Sequence, residues 1–154
     1  MSLSFLRRAR CARQGFTLIE LLLVIGIIAI LAAIVIVAIN PTKQLGDARN
    51  AQRRSDVNTI LNAVYQYALD NNGNLPSAIT TTATEICRSG VNVTCTGLIN
   101  LNTLTGSYVV ALPADPQAAT ATSTKYTILK NSTTSRLTVA APSAEQSATI
   151  SVTR

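Results

Sequence analysis

From Leu21 to Ile39 the chain runs nineteen residues without a polar side chain. At 1.5 Å per residue, a helix of that length is about 29 Å long, close to the ~30 Å hydrocarbon core of a bilayer. A helix that is apolar on every side must lie in lipid or inside a bundle of other helices. The rest of this 154-residue chain is too small to enclose it. Arg7, Arg8, Arg10 and Arg13 precede the segment, and only Lys43 and Arg49 follow it closely. That excess of positive charge ahead of the span keeps the N-terminus in the cytoplasm and sends the C-terminal part across the membrane.

The same arginines account for most of the net charge of +6. Beyond them the balance is nearly even, so the basic character belongs to the leader and is not a nucleic-acid footprint on a folded face. Histidine is absent. That removes a Ser-His-Asp triad, a Cys-His pair and any His-ligated metal site. The seven acids are dispersed, and neither a Gly-rich phosphate loop nor a nucleophile beside a base is present. An enzyme is not expected, nor is a metal or cofactor.

The apolar segment is too long for the ~7–15-residue core of an ordinary secretory signal, and no small-x-small cleavage site follows Ile39. A lipoprotein signal at Cys11 needs an apolar stretch before the cysteine, where Arg8-Ala9-Arg10 stands instead. A cut ahead of the apolar stretch would keep it in the mature protein. Glu20 favours that arrangement, since a charge within a span costs roughly 2.5–3.5 kcal/mol at mid-membrane and marks function. Thr17-x-x-Glu20 also fits a helix capping box, with an acid in the first turn. Both readings of Glu20 stand on the sequence.

Gly15-Phe16-Thr17-Leu18-Ile19-Glu20-Leu21-Leu22, behind a short basic leader, resembles the processing motif of type IV pilins and the related pseudopilins. The resemblance covers about the first third of the chain. It implies cleavage between Gly15 and Phe16 by a membrane prepilin peptidase, then N-methylation of the new Phe16 amine. Glu20 becomes the fifth residue of the mature chain, paired with the amine of a neighbouring subunit during assembly. It also implies a filament of like subunits, built by an assembly platform and its ATPase.

Asn40-Pro41 interrupts the apolar run, as a kink or a fresh helix start. From Lys43 to Asp70, Val57, Ile60, Leu61, Val64 and Ala68 recur at helical spacing, with Asp56, Asn62, Gln66 and Asp70 expected on the opposite side. Phe16 to Asp70 is thus expected as one long, kinked helical rod. Arg49, Arg53 and Arg54 read as a solvated face or a subunit contact, without the interleaved aromatics of a nucleic-acid site. Asn71-Asn72-Gly73-Asn74-Leu75-Pro76 ends the helix.

Beyond Ser77 the composition shifts to Thr, Ser, Ala, Val and Ile. Thr80–Thr84 reads as a polar loop, and Gly97–Leu104 as a short helix or turn. Strands are expected at Tyr108–Leu112, Tyr126–Lys130, Arg136–Ala140 and Thr149–Val152, with Asn131–Ser135 as a hairpin loop. Short strands close in sequence make an antiparallel sheet. The expected fold is therefore α+β: a long N-terminal helix, transmembrane then amphipathic, packed on a small antiparallel sheet. Residues 1–15 form the leader, 16–40 the apolar helix, 41–76 the amphipathic helix with its cap, and 77–154 an extracytoplasmic head.

Cys87 and Cys95 have no C-x-x-C partner and no histidine, and they fall on the side where disulfides persist. A bridge between them is expected, worth about 2.5 kcal/mol by chain entropy. Pilins more often carry their disulfide in a C-terminal loop. Asn92-Val93-Thr94 and Asn131-Ser132-Thr133 match the N-glycosylation pattern, which a Thr-rich chain produces by chance. The function expected is that of a structural pilin, a single-pass precursor in the cytoplasmic membrane and then a surface filament. The alternatives are a pseudopilin of a type II secretion or competence system, and a membrane-anchored binding domain that never assembles.

Overall fold

The computed structural model describes residues 15–154, apart from 89, 91–93 and 118. Cys11 and the rest of the leader to residue 14 lie outside the described residues, as do Asn92 and Val93 of the first acceptor pattern. Helix α1 spans Leu18–Ile39 and α2 spans Pro41–Asp70. Between them Asn40 adopts the left-handed conformation, with φ 47°. Asparagine tolerates it better than most residues, because its short polar side chain bonds locally. Pro41 then opens α2 at a position where a missing N–H costs nothing. The chain divides here into two units, one ending at Pro41 and the other spanning Thr42–Arg154.

Within the second unit, α2 closes with Asn72 and Gly73 both left-handed, at φ 56° and 84°. The Gly73 N–H donates to the Ala68 carbonyl at 2.7 Å, which satisfies an otherwise orphaned end of the helix. Four antiparallel strands follow in the order β1-β2-β3-β4: Thr84–Cys87, Ser123–Lys130, Leu137–Ala140 and Ser151–Thr153. Val57, Ile60, Leu61 and Val64 of α2 share one core with Ile86, Tyr126, Ile128, Leu137 and Val139 of the sheet. Period 3.6 on the helix and period 2 on β2 and β3 put these side chains on facing surfaces. Ile99, Leu101 and Leu104, around a 3-10 turn at Asn102–Leu104, close the end of that core. The arrangement is α+β, with helix on antiparallel sheet.

Several expectations are corrected. Tyr108–Leu112 is not a strand. Gly106, at φ 88°, turns the chain so that the N–H groups of Tyr108 and Val109 both donate to the Leu104 carbonyl. The place beside β2 is taken instead by β1, whose first residue, Thr84, was expected to be loop. Hydrophobic content alone could not tell which of the two segments finds the free edge. The hairpin loop also runs one residue longer, since Asn131 N–H donates to Arg136 O and pairing starts at Lys130↔Leu137. Asn131 Oδ1 accepts from the N–H groups of Thr133 and Thr134, both at 2.9 Å.

The largest correction concerns charge. Arg53 and Asp56 lie on the buried side of α2, not the solvated one, and Arg49 is only partly exposed. Arg53 sits one turn ahead of Val57 and so continues the apolar stripe. Its guanidinium is 0% exposed and grips Asp115 with both arms, Nε–Oδ2 at 2.7 Å and Nη2–Oδ1 at 3.1 Å. Nη1 reaches Glu145 Oε2 at 2.9 Å and Asn50 Oδ1 at 3.1 Å. Arg49 holds the same Glu145 carboxylate at 2.6 and 2.5 Å. Asp56 accepts the buried Tyr126 hydroxyl at 2.6 Å and the Gln52 amide at 2.7 Å. A buried guanidinium is tolerable only when its donors are matched in this way. Of the three arginines, Arg54 alone is fully on the outer face.

Candidate assembly site

Gly15, Phe16 and Thr17 precede α1 in exposed, non-helical backbone. The Gly15–Phe16 peptide bond therefore stands clear of helical hydrogen bonding, and among the described residues no atom beyond its chain neighbours comes within 4 Å of where a Gly15 Cβ would sit. Thr17 is the N-cap, extended at φ −79° and ψ 151°. Its Oγ1 accepts the Glu20 N–H at 3.3 Å, and Glu20 Oε2 accepts the Thr17 N–H at 2.9 Å. Thr17 Oγ1 also donates to Oε2 at 2.7 Å. Both limbs of a capping box are made, and the carboxylate sits where the helix dipole favours negative charge. All three bonds leave Glu20 Oε1 outside the box.

Behind Glu20, α1 is apolar all round, with no buried residue. Among the described residues it is the helix long and apolar enough to cross a membrane. Large side chains such as Leu18, Ile19, Ile30, Ile34 and Val37 are mostly exposed within the single chain. Such a surface is unstable in water and requires lipid or other helices around it.

The second unit holds its loops onto α2 through the polar cluster. Asn50 donates from Nδ2 to the Glu145 carbonyl at 2.9 Å and accepts the Glu145 N–H at 3.0 Å. Gln146 Nε2 donates to the Lys43 carbonyl at 2.6 Å. The Arg49 and then the Arg53 hydrogen bonds hold the Glu145 carboxyl down to about 2. Arg53 is in turn pushed further above its ordinary value, by Asp115 first. Burial, and then the Asp56 carboxylate, raise the Tyr126 phenol. Asp115 and Glu145 lie far from α2 in sequence, so only the helical phase of Arg49, Asn50 and Arg53 with Val57 hinted at their role.

Cys87, buried at the end of β1, is bonded to Cys95 with Cα atoms 5.5 Å apart. The Cys87 N–H donates to Ile99 O at 2.8 Å, so the small loop is anchored to the sheet. Groups of three or more His, Cys, Asp or Glu suited to a metal ion do not occur among the described residues.

A capped helix, apolar behind Glu20 and long enough to cross a membrane, precedes a second helix packed on a small antiparallel sheet. Residues 10–36 match the family model described as the prokaryotic N-terminal methylation motif. The chain is also 33% identical over 109 residues to the type II secretion system core protein G of Escherichia coli (strain K12), covering 71% of this chain and 70% of that protein. This chain belongs to the type IV pilin and pseudopilin family, whose members are structural subunits. No solved structure matches it significantly.

Proposed function

We propose that the chain is made as a prepilin with residues 1–15 as a cytoplasmic leader and its head across the membrane. A prepilin peptidase cuts between Gly15 and Phe16, and the new Phe16 amine is methylated. The subunit then enters a type IV pilus-like filament through α1, driven by an assembly platform and its ATPase. Its role is structural and not catalytic. The observation that carries this reading is α1 itself: apolar on all sides behind Glu20, without one buried residue, and lying for most of its length within the matched methylation motif at residues 10–36.

Glu20 has two successive tasks in this reading. In the single chain it completes the capping box with Thr17. On assembly the Phe16 amine of a neighbour meets it, and two costly charges become one pair. A buried pair adds little net stability, because desolvation offsets attraction, but an out-of-step subunit leaves both charges bare. Glu20 therefore sets register. Glu20→Ala subunits should be processed normally and assemble poorly, and normal assembly would remove this role.

The test is N-terminal sequencing of protein sheared from cells. Polymeric material starting at methylated Phe16 is expected. A chain starting at Met1 and confined to membranes, monomeric in detergent, would mean an anchored domain that never assembles. A second reading is favoured by the similarity to the secretion protein: a pseudopilin of a type II secretion system. Deleting the chain separates the two, since loss of secreted proteins with no change in sheared filaments would identify the pseudopilin.

A further inference from the structure

Filaments of like subunits grow through contacts that do not close on themselves, so each subunit must carry two different, complementary patches. Resting on the filament reading, we infer that a hollow beside the last turns of α2 receives the Val110 loop of a second copy of this chain. The hollow has a volume of about 510 Å3 and is lined by Tyr65, Ala68, Leu69, Leu75, Lys130 and Ser135. Tyr65, Ala68 and Leu69 stand at i, i+3 and i+4, so they form one flank of α2, and the β2–β3 hairpin supplies the far wall.

The loop that carries Val110 packs on the other flank of the same turns. Tyr108 meets Tyr67 edge-to-face at 5.8 Å and donates its hydroxyl to Asp70 Oδ2 at 2.8 Å. Two residues on, Val110 is 93% exposed, on a loop held firmly by that contact. Leu69, at the rim of the hollow, is 80% exposed. A lone exposed valine is ordinary. Here an apolar knob and a partly apolar hollow lie at the same level of one helix, with Leu69 as the ridge between the hollow and the groove under Tyr108. Charge matches as well: Lys130 borders the hollow and Asp70 stands at the root of the knob. A copy placed beside the first brings knob to hollow and cation to anion, and leaves a fresh hollow for the next.

The test is cysteine cross-linking in sheared filaments, in a Cys11→Ser background where Cys87 and Cys95 are already bonded. Subunits carrying both Val110→Cys and Leu69→Cys should give a ladder of covalent multimers on mild oxidation. Subunits with either change alone should stay monomeric. Both side chains are exposed, so neither change disturbs the core. Filaments that form and give no ladder would overturn the inference while leaving the filament reading intact, as would dimers from Val110→Cys alone. If the wild-type chain is never polymeric, the filament reading fails and the inference goes with it. Charge reversal gives an independent readout. Lys130→Glu or Asp70→Lys should lower filament yield about two- to fivefold, the range for an exposed ion pair. The double reversal should recover part of the yield lost in Asp70→Lys alone, which also breaks the Tyr108 hydroxyl bond, and no recovery over that single variant would count against the contact.

Discussion

Replacing Arg53 by methionine keeps the side chain's bulk and removes its charge. Asp115, whose side chain is 0% exposed, then loses both guanidinium bonds and keeps the Gln117 N–H at 2.9 Å. Breaking a buried ion pair from one side costs about 3–5 kcal/mol, because a buried carboxylate loses its counter-charge. A domain of this size has about 5–15 kcal/mol in total. The melting temperature should therefore fall by roughly 12–20 °C, at ~4 °C per kcal/mol. The assay is a thermal melt of the full chain in detergent, followed by near-ultraviolet circular dichroism from its tyrosines. Arg53→Met/Asp115→Asn should recover a good part of the loss, since the uncompensated charge has gone. Arg49→Ala should do far less damage, because that pair is partly solvated. Wild-type melting of Arg53→Met, or no recovery in the double variant, would refute the argument that an uncompensated charge sets the cost.

The Glu145 carboxyl is held down to about 2 in the folded chain against an ordinary 4.5, so its contribution is complete above 4.5 and is lost as pH falls towards 2; Glu145→Gln should flatten the acid limb of a melting-temperature profile, and an unchanged limb would place the acid sensitivity elsewhere. Tyr126→Phe leaves Asp56 with the Gln52 amide and without its 2.6 Å hydroxyl, and should cost about 1–3 kcal/mol in denaturant unfolding. Asp56→Asn alone should cost less than Tyr126→Phe plus Asp56→Asn if the hydroxyl still finds the amide oxygen. Cys87→Ser/Cys95→Ser should lower stability by about 2.5 kcal/mol, as expected for the nine residues from Cys87 to Cys95. The unreduced wild-type chain should be lighter than the reduced one by the mass of two hydrogens.

The motif, the span and the amphipathic stripe were legible because each is local. Thr17 and Glu20 are three residues apart, and Val57, Ile60, Leu61 and Val64 repeat with the helix itself. β2, β3 and β4 were placed to within a few residues, since β-branched and aromatic residues cluster there. Tyr108–Leu112 has the same composition and failed, because strand formation depends on a free edge that only the assembled sheet reveals. Arg53 and Asp56 failed for a related reason. Charged residues at stripe positions look solvated until their partners appear, and Asp115 and Glu145 arrive from loops about 60 and 90 residues away.

The two outer strands of the sheet bear on life in a crowded polymer. β4 offers three residues, and β1 is irregular between Glu85 and Cys87, with Ile86 bridged to Ile99 on its far side. Short or obstructed margins give a neighbouring sheet nothing continuous to zip onto. Heads brought side by side can thus touch through side chains without pairing backbone to backbone.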